Sequence, residues 1–241
     1  MGLIVDRTLT AREFIDECLE FKRQHNPRSR FMRELVLGKL DPGQLRAWAR
    51  DFYYYVEPAI PSIAAWLASA PTLPERDTYR LIARNLAGEM GYIAEPEHHD
   101  LYLQFCEGLG VSRAQILEQL PLASTVGAAS TVGHYCRSSF VEGLGAFGLA
   151  VEMELPEIPN GAQIFYEALS KHYGLDEKAL EFWYVHIEAE HEHGENAERA
   201  LALCGQTREQ QTLIRRAFRF SVLAHTGMRE GYDRFLDGAL D

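Results

Sequence analysis

The segment HIEAEHEH, residues 186–193, places six ionisable side chains in eight positions. Asp176 is a suitable N-cap for a helix that runs from there to about Cys204. At 100° per residue, His186, Glu190 and His193 fall on one stripe of that helix. The other members of the stripe are apolar or small, namely Trp183, Ala197, Ala200 and Cys204. We therefore expect the stripe to face the core and to carry its three polar side chains inward.

The rest of the segment belongs to the opposite face of the helix. Glu188, His191 and Glu192 fall away from the apolar stripe and are predicted to be solvated, as are Glu195 and Glu198.

A buried carboxylate beside two buried imidazoles costs several kcal/mol unless the groups are paired or bind metal. The alternative is a set of satisfied polar core residues, or a helix rotated toward water.

The inward residues also match a known pattern of ligands. A glutamate followed three residues later by a histidine, as in Glu190 and His193, is a unit from which di-metal carboxylate sites in helical bundles are built. Further carboxylates and a histidine from other helices would complete such a site. The sequence therefore predicts a metal site, and its remaining ligands have to be sought elsewhere in the chain.

The composition is ordinary for a globular protein and excludes several classes of partner. The chain has 241 residues, of which 46% are hydrophobic and 24% are charged, with a formal net charge of −11. Nucleic acids and anionic membranes require a basic surface, so neither partner is expected. No apolar run approaches the roughly 20 residues of a membrane span, and MGLIVDRTLTAREF lacks the layout of a signal peptide. The four cysteines are scattered, which favours reduced thiols in a cytoplasmic protein.

The hydrophobic period is helical throughout the chain. Thr10 with Glu13, and Thr207 with Gln210, are predicted capping boxes, and Asp41 followed by Pro42 begins another helix. Pro58 and Pro61 are expected to kink or restart a helix, and one long helix is expected from about Ser124 to Leu155. No segment alternates in the manner of a strand. We predict an all-α fold with about eight helices, forming a single domain over residues 1–241.

The segment NLAGEMGYIAEPEHHDLYLQF, residues 85–105, offers a first group of partner ligands. Glu89 lies near the end of an apolar helical run, and His98 or His99 begins the next helix. Glu95 and Glu97 lie in the proline-containing connection between the two helices, where solvated acids are the simpler interpretation.

The long helix before Pro156 offers a second group of acids, Glu142, Glu152 and Glu154. Glu152 shares a stripe with Gly145 and Gly148, but Glu154 also has apolar neighbours, so the helical wheel does not choose between them. Glycines within a helix cost about 1 kcal/mol each relative to alanine. The run of glycines therefore indicates close helix contact or room for a ligand, and its members are Gly127, Gly133, Gly143, Gly145 and Gly148.

Taken together, these segments resemble the haem-oxygenase-like oxidase and oxygenase superfamily, which includes relatives of thiaminase II and of pyrroloquinoline-quinone synthase. The stretch FWYVHIEAEHEH, residues 182–193, is similar to the metal segment of the family. NLAGE at residues 85–89, HHDLYLQF at residues 98–105 and Glu152 four residues before Pro156 also match. The resemblance covers about residues 10 to 235 and implies a haem-oxygenase-like helical bundle.

The resemblance implies six metal ligands, which are Glu89, His98, Glu152, His186, Glu190 and His193. His98 is preferred to His99 because it lies three residues before Leu101, as in the family pattern. Glu190 replaces an aspartate found in many members. The nine-residue spacing from Glu89 to His98 is longer than in many members, which leaves Glu95 as the alternative ligand.

The ligand set also indicates which metal is bound and which type of reaction it serves. Mixed histidine and carboxylate ligands suit non-haem iron, with manganese as the alternative metal. We expect two Fe(II) ions and O₂ as co-substrate, used to oxidise or cleave a small amino-acid-like or fatty-acid-like molecule in a biosynthetic pathway. A homodimer is the default oligomeric state.

Three alternatives remain at this stage. A thiaminase II-like hydrolase would use Cys136, a quinone-synthase-like oxidase would work without metal, and a non-enzymatic helical protein would only bind a partner.

The aromatic residues Trp48, Phe52, Tyr53, Tyr54 and Tyr55 either line a pocket or pack in the core. The candidate polar contacts to a substrate are Arg137, Lys171 and His225.

Overall fold

The computed structural model describes residues 7–26, 29–70, 76–92 and 96–238, and for side chains it excludes residue 76 and residues 188–192. In these ranges the chain forms twelve α-helices, one π-helix and no strand, so the predicted all-α class is confirmed. The first six helices are α1 Ala11–Gln24, α2 Arg30–Val36, α3 Pro42–Val56, α4 Ala59–Ala68, α5 Arg76–Glu89 and α6 His98–Gly108. The others are α7 Arg113–Glu118, α8 Ala123–Ser138, α9 Phe140–Gly143, the π-helix Leu144–Glu152, α10 Gly161–Tyr173, α11 Glu177–Cys204 and α12 Arg208–Leu236.

The expected helix starts are confirmed where the sequence carries caps. Thr10 and Thr207 both form reciprocal capping boxes with the residue three positions on, and the Asp41 side chain accepts hydrogen bonds from the backbone amides of Gly43 and Gln44. The helix predicted from Asp176 ends at Cys204, as expected. These caps satisfy amides that have no partner within the helix, which is why they fix helix starts reliably.

The expected number of about eight helices is wrong, since the described residues form twelve α-helices and one π-helix. Part of the difference comes from two caps that were not recognised in the sequence. The short helix α2 begins at Arg30, and the hydroxyl of its N-cap Ser29 accepts a hydrogen bond from the amide of Met32. The long helix expected from Ser124 to Leu155 breaks at Ser139, which has an extended backbone and whose side chain caps the amide of Glu142. Ser139 and Glu142 have the spacing of a capping box, so the break did carry a sequence signal.

Beyond the break the chain becomes a nine-residue π-helix that ends at Glu152. Its glycines allow close contact with two neighbouring helices. A methyl group on Gly145 would overlap the backbone carbonyl of Ile214 in α12, and one on Gly148 would crowd Ala197 in α11. Close helix contact, one of the two interpretations of these glycines, is found here, whereas Gly127 has open space around it. Long π-helical stretches are rare and occur often at functional sites.

Helix α11 packs against the core through the face that the sequence predicted. Trp183, Ala197, Ala200 and Cys204 are buried along the expected stripe, and Glu195 and Glu198 are exposed. An aromatic group of Trp48, Phe165 and Trp183 stacks against the first half of the helix. None of the described helices is long and apolar enough to cross a membrane.

Candidate metal centre

Five of the six predicted ligands come together between four helical elements. Glu89 ends α5, His98 begins α6, Glu152 ends the π-helix, and His186 and His193 lie two turns apart on α11. Glu89, His98, Glu152 and His193 are each at least 93% buried, and His186 is partly buried. The side chain of Glu190 lies outside the described residues, as does Glu95. The metal-ligand roles of all six stay predictions.

The carboxylate of Glu89 lies between two histidines. Its Oε2 atom is 3.0 Å from Nδ1 of His98, and its Oε1 atom is 3.9 Å from Nδ1 of His193. The same nitrogen of His193 is 3.3 Å from Oε2 of Glu152. The two oxygens of one carboxylate thus face two separate groups of side chains, which is the arrangement that a carboxylate bridging two cations requires.

His186 completes the first of these groups. Its Nδ1 atom lies 2.6 Å from the backbone carbonyl of Phe182, which fixes the ring orientation and directs Nε2 away from the helix backbone. The rings of His186 and His98 lie 4.4 Å apart between centroids. Glu89, His98 and His186 each offer one ligand atom, and these atoms lie within 4.8 Å of one another. Such a buried acid and two imidazoles can hold one metal ion.

At neutral pH the side chains of the cluster have the protonation states that bind a cation. Burial alone would raise the pKa of Glu89, but the hydrogen bond from His98 and the charges of the three nearby imidazoles outweigh burial and lower that pKa to about 2. Burial, assisted by His98, lowers the pKa of His186 to about 4. At neutral pH Glu89 is therefore ionised and His186 is neutral, and these are the forms in which both side chains bind metals.

A buried amide pair supports the cluster from one side. Asn85 precedes Glu89 by one turn of α5, and Asn196 follows His193 by nearly one turn of α11. The Nδ2 atom of Asn196 donates to Oδ1 of Asn85 over 2.8 Å. This bond joins α5 to α11 directly beside Glu89 and His193. Sequence reasoning did not single out either asparagine, although both occupy the same helix faces as the predicted ligands.

A cavity of about 140 Å³ adjoins the cluster. Four of the predicted ligands line it, namely Glu89, His98, Glu152 and His186. Its remaining wall is largely apolar and is formed by α3, α4, α8, the π-helix and α11, with Phe52, Val56, Ile60, Val132, Phe147, Val151 and Phe182 as members. Within the described lining there is no lysine or arginine. A small, mostly apolar molecule fits this space next to the candidate metal ligands.

The aromatic run in α3 divides between cavity and core. Phe52 and Tyr55 line the cavity, whereas Trp48 is buried in the aromatic core. The Tyr54 hydroxyl donates to the backbone carbonyls of Ile116 and Gln119, and the Tyr53 hydroxyl lies 3.3 Å from Nε2 of His99.

The other candidate residues lie elsewhere. Glu142 pairs with Arg216 and with the Ser139 hydroxyl, which gives it a structural role. Glu97 and Lys171 are exposed, and Arg137 bonds the backbone carbonyl of Gly133. His225 does not line the cavity but contacts Tyr55, which does.

Cys136 is poorly placed for nucleophilic chemistry. Its side chain is fully buried and is absent from the described lining of the cavity. Burial raises the pKa of its thiol to about 12, whereas reactive cysteines have a lowered pKa and some exposure.

Solved structures place the fold in a known class. A protein of Shewanella denitrificans with a haem oxygenase-like fold superposes with a TM-score of 0.74 at 17% identity, covering 97% of each chain. A CADD-like protein of Nostoc punctiforme gives 0.73 at 16% identity, covering 93% of this chain and 98% of that one. A TenA homologue of Pseudomonas syringae gives 0.72 at 17% identity, covering 94% and 96%. The chain has a haem oxygenase-like fold, as the sequence resemblance implied.

Sequence comparison identifies the family within that fold class. The profile of the iron-containing redox enzymes matches residues 46–225. The chain belongs to this family of iron-containing redox enzymes. It is also 27% identical over 182 residues to a 4-aminobenzoate synthase of Chlamydia pneumoniae, covering 75% of this chain and 76% of that protein.

Proposed function

We propose that the protein is a non-haem di-iron oxidase or oxygenase that uses O₂ to oxidise or cleave a small organic molecule held in the cavity. The observation that carries the proposal is the position of Glu89, whose two carboxylate oxygens face His98 on one side and His193 on the other. Membership of a family of iron-containing redox enzymes supports iron as the metal.

The residues present fit two metal positions that share one carboxylate. Glu89, His98 and His186 would hold the first ion, and Glu89, Glu152 and His193 would hold the second. Glu190 is assigned to the second ion from the sequence pattern alone. A mixed set of carboxylate and imidazole ligands suits Fe(II), with Mn(II) as the alternative. Bound iron would supply the electrons that reduce O₂.

The chain contributes orientation and a controlled environment. The backbone carbonyl of Phe182 fixes the His186 ring, and the Asn85–Asn196 bond fixes α5 against α11. Such outer contacts keep ligands in position and tune the metal. The apolar side chains opposite the cluster exclude water from the space where the substrate would lie. The substrate would thereby lie next to the metal against a largely apolar wall.

The cavity limits the size of the substrate. An apolar cavity of about 150 Å³ accepts a benzene molecule, and this cavity of about 140 Å³ is comparable. The relative in Chlamydia pneumoniae is named for 4-aminobenzoate, which contains a single aromatic ring. A substrate of one ring or a short aliphatic chain, within the amino-acid-like or fatty-acid-like classes, is consistent with this space.

The test is oxygen consumption by the iron-loaded protein. Protein purified without O₂ is loaded with Fe(II), and an oxygen electrode records uptake when O₂ is admitted. We expect stoichiometric uptake by the wild type and a loss of at least tenfold in its rate in His186→Ala. The matched control is His134→Ala, which removes an exposed histidine on α8 and should leave uptake unchanged. Uptake that is absent from the wild type, or that is equal in His186→Ala, would contradict the proposal.

Three alternatives receive less support. The buried thiol of Cys136 argues against a thiaminase-like nucleophile at that position, and thiamine cleavage lost in Cys136→Ser would restore that alternative. A metal-free oxidase would have no need of five clustered ligands. A non-enzymatic helical binding protein receives no support from the match to a family of iron-containing redox enzymes.

A further inference from the structure

Phe147 lies where the cavity ends along two of its helices. The last residue of α4 that lines the cavity is Ser62, and Trp66, one turn further on, is absent from the described lining. The last residue of α8 in the lining is Val132, and Cys136, again one turn further on, is absent from it and fully buried. Phe147 is part of the lining, and its ring lies 6.2 Å from the indole of Trp66 between centroids. The Phe147 side chain thus reaches from the π-helix to α4 at the point where the cavity stops.

The π-helical conformation brings this ring to the same face as a candidate metal ligand. Hydrogen bonds in a π-helix link residues five positions apart, so such residues lie roughly one turn apart on one face. Phe147 and Glu152 have this spacing, and both line the cavity. In an α-helix the same spacing would separate the two side chains by about 140° around the axis. One element therefore supplies both the candidate ligand and the ring that ends the cavity.

The indole that Phe147 contacts is held in place on several sides. Trp66 is 1% exposed, and its Nε1 atom donates to the backbone carbonyl of Phe140 over 2.9 Å. The Phe140 ring also stacks on the indole, with 5.7 Å between centroids. A methyl group on Gly143 would overlap the indole, and one on Gly148 would crowd it. Such close packing leaves the indole little freedom, so the Phe147 ring has a rigid support.

We propose that Phe147, supported by Trp66, determines how far a substrate can extend along α4 and α8 and so sets its length. A longer molecule would have to displace this ring, and the close-packed residues behind it resist the displacement. The substrate class is accordingly a single ring with at most a short substituent, or an aliphatic chain of comparable length. This inference rests on the proposed function only in treating the bound molecule as the substrate. Its test measures binding without iron or O₂, so either proposal can fail while the other stands.

The probes are three alkylbenzenes that differ only in chain length, namely toluene, propylbenzene and pentylbenzene. Their affinities for the full-length chain are measured by calorimetric titration. Each further methylene that becomes buried should tighten binding by about fourfold. In the wild type this gain should stop at the Phe147 ring, so pentylbenzene should bind no more tightly than propylbenzene.

The variants remove the ring completely or in part. Phe147→Ala should raise the pentylbenzene-to-propylbenzene affinity ratio by roughly tenfold, because the vacated space accepts two more buried methylenes. Phe147→Leu, which disturbs the core less, should raise the same ratio by about threefold. The matched control is Phe218→Ala, which removes the same side chain from a buried position on α12 that is absent from the described lining. The control should leave the ratio unchanged.

Each outcome supports or overturns the proposal. An unchanged ratio in both Phe147 variants overturns it, and so does a rise of equal size in Phe218→Ala, since any cavity in the apolar core would then accept the longer probe. A wild type that binds pentylbenzene about tenfold more tightly than propylbenzene, or that does not bind toluene, also overturns it. Circular dichroism and the thermal midpoint of each variant confirm that the compared proteins are folded.

Discussion

His193 and Glu152 meet across 41 residues of sequence, with Nδ1 of the histidine 3.3 Å from Oε2 of the carboxylate. The contact joins the middle of α11 to the last residue of the π-helix. It is possible because Gly194 lets α11 approach the backbone carbonyl of Glu152, where a larger residue would be crowded.

Glu152→Gln should lower the iron content of the anaerobically loaded protein from about two to about one per chain. An amide oxygen replaces the anionic ligand of one ion and leaves the first group of ligands intact. The control is Glu154→Gln, which neutralises an acid two residues away that is absent from the described lining of the cavity, whereas Glu152 is part of that lining. Metal analysis of gel-filtered protein gives the answer, and equal losses in both variants would reject the assignment of Glu152.

Asn85→Ala should destabilise the fold, because the buried amide of Asn196 loses its partner. Leaving such a group unsatisfied costs about 1–3 kcal/mol, measurable as a lower urea midpoint. The double variant Asn85→Ala/Asn196→Ala should cost less than the sum of the single changes. Strict additivity would show that the 2.8 Å bond between the two amides contributes nothing.

Gly145→Ala should lower the thermal midpoint of unfolding, because the added methyl group would overlap the Ile214 carbonyl. Overpacking of this kind typically costs about 1–3 kcal/mol. Gly127→Ala is the matched control, since it lies in a helix with open space around it and alanine favours helices by about 1 kcal/mol. A midpoint for Gly145→Ala equal to or above that of Gly127→Ala would contradict the close packing of the π-helix.

The metal-free protein should lose stability in acid through two histidines whose pKa is lowered in the folded state. Burial lowers the pKa of His186 and of His225 to about 4, whereas imidazoles of the unfolded chain titrate near 6.5. As the pH falls from about 6.5 to 4, the unfolded chain therefore binds protons that the folded chain does not. The free energy of unfolding should fall by at most about 1.4 kcal/mol per pH unit for each histidine.

His225→Leu should make the decline in unfolding free energy between pH 6.5 and 4 shallower, as measured by urea denaturation at several pH values. The stability contributed by Glu89, whose pKa is lowered to about 2, is present above about pH 4.5 and is lost as the pH falls toward 2. An identical slope in His225→Leu and the wild type between pH 6.5 and 4 would contradict the neutral, buried state of His225.

Features that depend on the helical period and on local caps could be predicted from the sequence. The stripe on α11 separated His186 and His193 from the exposed Glu195 and Glu198, because burial repeats with the helix period. The choice of His98 over His99 agrees with their burial, since His98 lies in the cluster and His99 faces Tyr53.

Other features depend on tertiary contacts that a single helix does not encode. Residues 144–152 are π-helical, with Gly145 close to α12 and Gly148 close to α11, and no local pattern in the sequence marks that conformation. The pairing of Tyr55 with His225 joins residues 170 positions apart, and no local pattern marks it. The single-domain organisation and a homodimer stay predictions.

The most direct test of the account is the number of iron ions held by the chain and its dependence on Glu89. Full-length protein is loaded with Fe(II) without O₂, freed of loose metal and analysed for iron per chain. We expect two ions in the wild type and fewer than one in Glu89→Ala, because Glu89 is assigned to both positions. Two ions retained by folded Glu89→Ala, or no iron bound by the folded wild type, would contradict the di-iron centre.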